Sequence, residues 1–457
     1  AVADMQWPRC TIGVLLLVAP LMWASYLVGR ARSPHTVAGA GKKVIVRTKA
    51  PHAEVVPFYM LPAEDFLANR ACDYAHFSNK HAQGVQLLHS LVNHPWHRAI
   101  EKAKVCVVPV SIGQLSRGMC PGADADNWTA SVYFEDILLK VGKVMKKHPS
   151  CITLWLADPP QANPRRWIRH LPPGLAAVAW HELSNGEFLG YRTRDFNPRG
   201  DCDTRRILIV APYSLDVETR SIGLPRAETG LVMPDRSLPI GPKRKYFMAF
   251  GGKVMKAFHE DRKKIVFAEN VPNDVFLRVS DVESKLKGRY ALRHCEDHID
   301  MDGNDADNVL DSGPCVGGLP ARLFYRVMEQ SKFTPCFRGD TMNADRMYNA
   351  FTWNTICVVI VDKTDSIFNH VAFPDIIPWQ DIWVIISRKK FDADPWGTLN
   401  ELRNMPDSEY MHRLHLLQKH RADLMYSVPD SRVVENYMLT AKKKMTAAVE
   451  SCRSHLD

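Results

Sequence analysis

Four short, almost unbroken apolar runs mark the first half of the chain, near Val105–Val110, Ile152–Leu156, Ala176–Trp180 and Ile207–Val210. Runs of this length, apolar on both faces and rich in branched residues, are the pattern of strands in a parallel sheet covered on both sides. The second half opens with Tyr246–Phe250 and the pair Gly251-Gly252, and the pattern predicts helices near Val254–Arg262 and Arg322–Gln330. A strand then starts at Ser331, a turn follows at Arg338-Gly339, a helix opens near Asn343 to Asp345, and a second buried strand, Ile356–Val361, ends at Asp362. From Trp396 to Cys452 the apolar residues Leu402, Met405, Tyr410, Leu414, Leu417 and Leu424 recur at helical spacing, which predicts a tail that packs back across both halves.

The pattern divides the chain into an α/β domain at 53–236, a second at 243–387 and a helical extension at 388–457, with the proline-rich Met233–Pro242 as hinge. A length of 457 residues exceeds one core and fits this division. The stretch from Ser331 to Val361 reads as one βαβ unit. Ligands of such units sit at the carboxyl ends of the strands, where arginines and a helix amino terminus hold a diphosphate. Arg338 and Arg346 are placed for that task.

Ser331-Lys332-Phe333, Cys336-Phe337-Arg338-Gly339-Asp340-Thr341 and Arg346 resemble the sugar-nucleotide site of the exostosin family of glycosyltransferases, a GT47-like resemblance. Downstream, Phe373, Asp375 and Trp379 match a further family segment. Tyr59-Met60-Leu61-Pro62, Val107-Val108-Pro109 and His181-Glu182 match weaker upstream ones. Two departures stand out. The family's acidic residue is Asn349 here, and its Gly-Cys-Ile-Pro-Val reads Asn354-Thr355-Ile356-Cys357-Val358.

The resemblance implies the GT-B architecture, two Rossmann-like domains facing a cleft. It further implies an inverting transfer of a sugar from a UDP-sugar to a glycan or glycoprotein acceptor. The donor would be held by Arg338, Gly339, Asp340, Arg346, Asn349 and Asp375, with arginines and helix dipoles, and no metal cofactor, stabilising the departing diphosphate. His181 and Glu182, at the end of an apolar strand in the first domain, are the candidates for the base that deprotonates the acceptor. With Asn349 lacking a carboxylate, the alternative is a catalytically inactive lumenal subunit that binds glycan or stabilises a partner transferase. A homo- or heterodimer with another glycosyltransferase agrees with either reading.

Thr11 to Gly29 runs 19 residues without a charge, long enough at about 1.5 Å per residue to span a bilayer. The expected arrangement is a cytoplasmic tail at 1–10, a transmembrane signal anchor at 11–29, a stem at 30–52, and a lumenal remainder in the Golgi as a single-pass type II protein. In that compartment the sequon Asn127-Trp128-Thr129 is usable for N-glycosylation. Ten of the eleven cysteines lie beyond the anchor. Disulfides are expected there without a legible pairing, and Cys106, Cys336 and Cys357, in apolar strands, read as buried thiols.

A net charge of +9 invites a nucleic-acid reading, but the Lys and Arg residues are scattered and no aromatics interleave with basic runs. Asp-x-Asp, the metal-holding pattern of other glycosyltransferases, occurs four times, at Asp124, Asp300, Asp305 and Asp392, and is correspondingly unspecific. The acidic stretch His294–Asp305 fails the calcium-loop spacing at its first and twelfth positions and reads as a solvated loop.

Overall fold

Eleven strands form two all-parallel sheets in a computed structural model that describes residues 54–72, 83–157, 164–180, 196–213, 243–254, 260–268, 270–282, 293–298, 310–311, 313–319, 321–337, 344–362, 367–426, 428 and 430–455. The expected cytoplasmic tail, anchor and stem, together with His181, Glu182, Arg338, Gly339 and Asp340, lie outside the described residues. Among the described residues no helix is long and apolar enough to cross a membrane.

The first sheet has the order β1-β2-β3-β4-β5, from β1 (Phe58–Met60), β2 (Val105–Ser111), β3 (Ile152–Ala157), β4 (Ala176–Trp180) and β5 (Arg206–Val210). All residues of β2 to β5 are buried, as their unbroken apolar runs require. Pro109 stands inside β2, where it has no N–H for the ladder. The register with β3 slips between Val107 and Ser111, and this bulge accommodates the proline. Helix α1 (Gln83–Leu91) covers one face. Helix α2 (Val132–Lys147) covers the other with Phe134, Ile137, Val141 and Met145. Ser131 caps α2, its hydroxyl accepting from the Phe134 N–H at 3.3 Å.

The second sheet comprises β6 (Tyr246–Val254), β7 (Val275–Val282), β8 (Cys315–Val316), β9 (Ser331–Pro335), β10 (Ile356–Val361) and β11 (Val384–Ser387). Its order is β11-β10-β9-β6-β7-β8. The chain starts in the middle, builds outward through β7 and β8, returns to the other side of β6 with β9, and builds outward again. Helices α3 (Glu260–Val266), α4 (Ala321–Glu329) and α5 (Asp345–Trp353) connect these strands. Of the helix expected near Val254–Arg262, Val254 belongs to β6 instead, since beyond a bulge at Gly252 Lys253 and Val254 still pair with Asp281 and Val282; residues 260–262 are helical in α3, and 255–259 lie outside the described residues.

Beyond β11 the described chain is mostly helical. Its longest pieces are α6 (Asp407–Lys419) and α7 (Val433–Arg453), and α7 lies across the first sheet. One apolar cluster therefore runs through both halves, joining Leu154 and Ile209 of the first sheet, Met347 and Phe351 of α5, Val359 of β10, and Val433, Tyr437 and Met445 of α7. Cys202 and Cys452 fasten the end of α7 to the loop before β5.

The ten cysteines beyond the expected anchor form five disulfides: Cys72–Cys120, Cys106–Cys151, Cys202–Cys452, Cys295–Cys315 and Cys336–Cys357. This corrects the reading of Cys106, Cys336 and Cys357 as thiols. Residue burial does not separate the two states, since a strand can bury either, and the partner is set by which elements become neighbours. Cys336 follows β9 directly and Cys357 lies in the adjacent β10. Within the acidic stretch His294, Glu296 and His298 are exposed and residues 299–305 lie outside the described residues, but Asp297 departs from the expected solvated loop: it pairs at 2.7 Å with Arg278 of β7, both side chains being almost fully buried.

Where the tail begins, buried Asp423 accepts from Arg432 Nε at 2.6 Å and from Asn436 Nδ2 at 3.2 Å, and lies 2.8 Å from His420 Nδ1. Burial alone would raise its pKa, but the hydrogen bonds from Arg432 and His420 outweigh that and hold it at about 2. A depressed carboxyl pKa contributes stability that is present above the unfolded value, about 4, and is lost as pH falls toward 2. The shift corresponds to roughly 2–3 kcal/mol. Thermal midpoints measured from pH 5 to pH 2 are expected to fall more steeply for the wild type than for Asp423→Asn. Parallel slopes would remove Asp423 as the group responsible.

Candidate functional site

The reversal of strand order in the second sheet falls between β6 and β9. In open parallel sheets the crevice at the carboxyl ends of two such strands is where ligands lie, because the connections leave in opposite directions and part there. Here β6 ends at Gly251-Gly252-Lys253-Val254, while β9 continues into Cys336-Phe337 toward the amino end of α5.

Arg346, one residue inside α5, reaches back over this gap. Its Nη2 donates to the Gly251 carbonyl, and its guanidinium carbon lies 4.5 Å from the centre of the Phe250 ring. A Cβ at Gly251 would run into the Phe324 ring, whereas one at Gly252 would lie 3.4 Å from Arg346 Nη2, in ordinary contact. Arg346 Nε is buried without a hydrogen-bond partner. Burial and repulsion from Arg262, partly offset by Asp345, push its pKa down to about 10, so it stays cationic at neutral pH. A half-buried guanidinium whose Nε is buried and unused, near a second guanidinium, favours a multiply charged anion.

Asn349 lies one turn further along α5. It is buried, and its Oδ1 has no hydrogen-bond partner. An unpartnered buried acceptor suits a ligand hydroxyl. The turn after α5 is intact although the family's glycine is missing, because Asn354 takes the left-handed conformation itself, with φ 53° and ψ 42°. Asparagine is the residue type that tolerates this best after glycine.

The structure brings Arg346 and Asn349 together and places Asp375 elsewhere. The Asp375 carboxylate pairs with Lys443 of α7 at 3.0 Å and lines a separate groove. Asn127 is exposed at the start of a short 3-10 helix while Trp128 beside it is buried, which leaves the sequon asparagine accessible. Of the described Asp-x-Asp pairs, Asp124 accepts from the Asp126 N–H in a turn, Asp392 pairs with Lys264 at 2.7 Å, and Asp394 caps the helix at 395–400. Among the described residues no group of three His, Cys, Asp or Glu side chains is arranged to hold a metal ion.

Sequence reasoning passed over four residues near the crevice. Gly251 and Gly252 were visible only as part of a strand. Arg262 comes near Arg346 only through the fold. Arg278, which pairs in register with Gly251, carried a signal: an arginine inside the apolar run Val275-Phe276-Leu277-Arg278-Val279.

No protein-family profile matches the chain, and no curated protein matches it in sequence. Among solved structures it is similar to a UDP-N-acetylglucosamine 2-epimerase, at 12% identity and a TM-score of 0.34, over 84% of this chain and 94% of that one. A DNA-modifying β-glucosyltransferase, solved with and without uridine diphosphoglucose, is similar at 11% identity and a TM-score of 0.34, over 86% and 99%. The glycosyltransferase SnogD from Streptomyces nogalater is similar at 13% identity and a TM-score of 0.32, over 86% and 98%. Likeness at this level is broad, and the crevice is defined by the chain's own strand order and side chains.

Proposed function

We propose that the chain is an exostosin-like, GT-B glycosyltransferase that moves a sugar from a UDP-sugar to a glycan or glycoprotein acceptor with inversion and without a metal cofactor. The observation that carries this reading is the half-buried Arg346 guanidinium, with its buried and unpartnered Nε, at the strand-order reversal of the second sheet. There Arg346, together with Arg338, would neutralise the departing diphosphate, Gly339 and Asp340 would help to hold the donor as the resemblance implies, and Asn349 would accept a hydrogen bond from a ribose hydroxyl. His181 or Glu182 would take the acceptor proton from the opposite face. Five disulfides and an accessible sequon support an oxidising lumenal setting. With residues 11–29 as anchor, the protein would sit in the Golgi membrane with everything beyond the stem in the lumen.

A non-catalytic lumenal subunit is the second reading, favoured by two observations. Asn349 brings no charge to the ribose position, and Arg346 spends one donor on the Gly251 carbonyl. Calorimetric titration of UDP into the fragment 53–457 in EDTA tests the donor site. Saturable one-to-one binding is the expected result, and absence of binding to the folded fragment would remove the transferase reading. Binding accompanied by neither hydrolysis nor transfer across a panel of UDP-sugars would favour the non-catalytic one.

A further inference from the structure

Asp375 opens onto a groove of about 480 Å³ between the segment Phe373–Ile376, Glu54 ahead of β1, and the outer side of α7. Its size lies within the about 300–1,000 Å³ of small-molecule sites. Ile376, Leu439 and Ala447 supply apolar surface, and Thr440 and Thr446 supply hydroxyls. Three carboxylates, Glu54, Asp375 and Glu450, stand against the ammonium groups of Lys442 and Lys443. We propose that this groove is a carbohydrate-binding subsite for a neutral, hydroxyl-rich glycan segment, separate from the crevice at Arg346.

The charges select the class. A lining of nearly balanced sign offers little to a phosphate or to a polycation, while it surrounds a ligand with both strong acceptors and strong donors. Sugars present this complement, with hydroxyls around the rim of a ring whose C–H face lies on apolar surface. The ion pairs Lys442–Glu54 and Lys443–Asp375 are both substantially exposed. Exposed pairs hold their groups weakly, so each can be exchanged for ligand hydroxyls at small cost. The floor is firm: Lys444, on the inner side of α7, donates to the Leu208 carbonyl of β5 at 3.3 Å, and burial lowers its pKa against the opposing pull of Asp375.

A second feature fixes Asp375 in place. Phe373 has φ 49°, a conformation that a bulky residue adopts only under constraint, at a cost on the order of 1–3 kcal/mol. It is held there by an edge-on contact with the Tyr437 ring at 5.2 Å and by its carbonyl, which accepts from the Ile376 and Ile377 N–H groups at 2.9 and 3.0 Å. The strained turn projects Asp375 outward toward α7.

The choice of a glycan among neutral polyols rests on the transferase reading, and the experiment separates the two. Saturation-transfer NMR on the fragment 53–457 with xylotriose, maltotriose and chitotriose is compared among wild type, Ala447→Trp, Asp375→Asn and Arg346→Ala, with UDP calorimetry on the same samples. Ala447 is exposed, so the tryptophan fills the groove without entering the core. Saturable binding of at least one trisaccharide is expected, weakened about tenfold or more by Ala447→Trp and by Asp375→Asn. Arg346→Ala should leave it unchanged, and both groove variants should bind UDP as the wild type does. No saturable binding of any of the three sugars, or binding that survives both groove variants, overturns the subsite whatever UDP does.

Discussion

Arg346→Ala is expected to weaken UDP binding about 30- to 1,000-fold, the equivalent of roughly 2–4 kcal/mol for losing charge-assisted hydrogen bonds to a diphosphate. Much of the cost of burying the guanidinium is already met in the free protein, where Nε has no partner and Phe250 lies beneath it. The ligand therefore collects the attraction without adding that desolvation. Arg346→Lys should recover only part of the loss, because an ammonium is a point charge without the planar fork. Folding stability should hold or rise in the alanine variant, since an incompletely paired buried cation is removed. Calorimetry and thermal unfolding on the same samples separate the two effects. Unchanged affinity in a folded Arg346→Ala protein would mean that the diphosphate is bound elsewhere.

Cys452→Ser is expected to cost about 2–5 kcal/mol of stability, the usual range for a native disulfide that closes a long loop. Cys202 and Cys452 are 250 positions apart, the widest span of the five bridges, so this one removes the most freedom from the unfolded chain. The neighbouring Arg453–Asp203 contact, 3.2 Å long and largely exposed, cannot substitute for it. Denaturant unfolding should show a lower midpoint in Cys452→Ser and in Cys202→Ser, with no further drop in the double variant. Unaltered midpoints would show that packing alone holds α7 in place.

What the sequence made legible follows from how local each feature is. The strands at 105–111, 152–157, 176–180, 206–210 and 356–361 announce themselves because burial on both faces leaves few polar positions in the runs, only Ser111, Thr153 and Arg206. The position of Arg346 at the start of a helix after a strand was legible, and it is what makes Arg346 a candidate site residue. Its burial, its contact with Gly251 and its neighbour Arg262 were not, because they depend on β6 lying next to β9, a relation between segments about 80 residues apart. Disulfide pairing escaped for the same reason. Asp375 carries the family's residue type, yet its carboxylate is turned to Lys443 by a backbone strain at Phe373 that no residue pattern announces.

Helix α7 also sets an order of events in biosynthesis. It leaves the ribosome more than 200 residues after β5, the last strand of the first sheet, yet it covers a face of that sheet. Of the described residues before it, α1 is the main helix on that face. Among the described residues, that face of the first sheet is therefore covered only in part, by α1, until α7 has been made and docks on it.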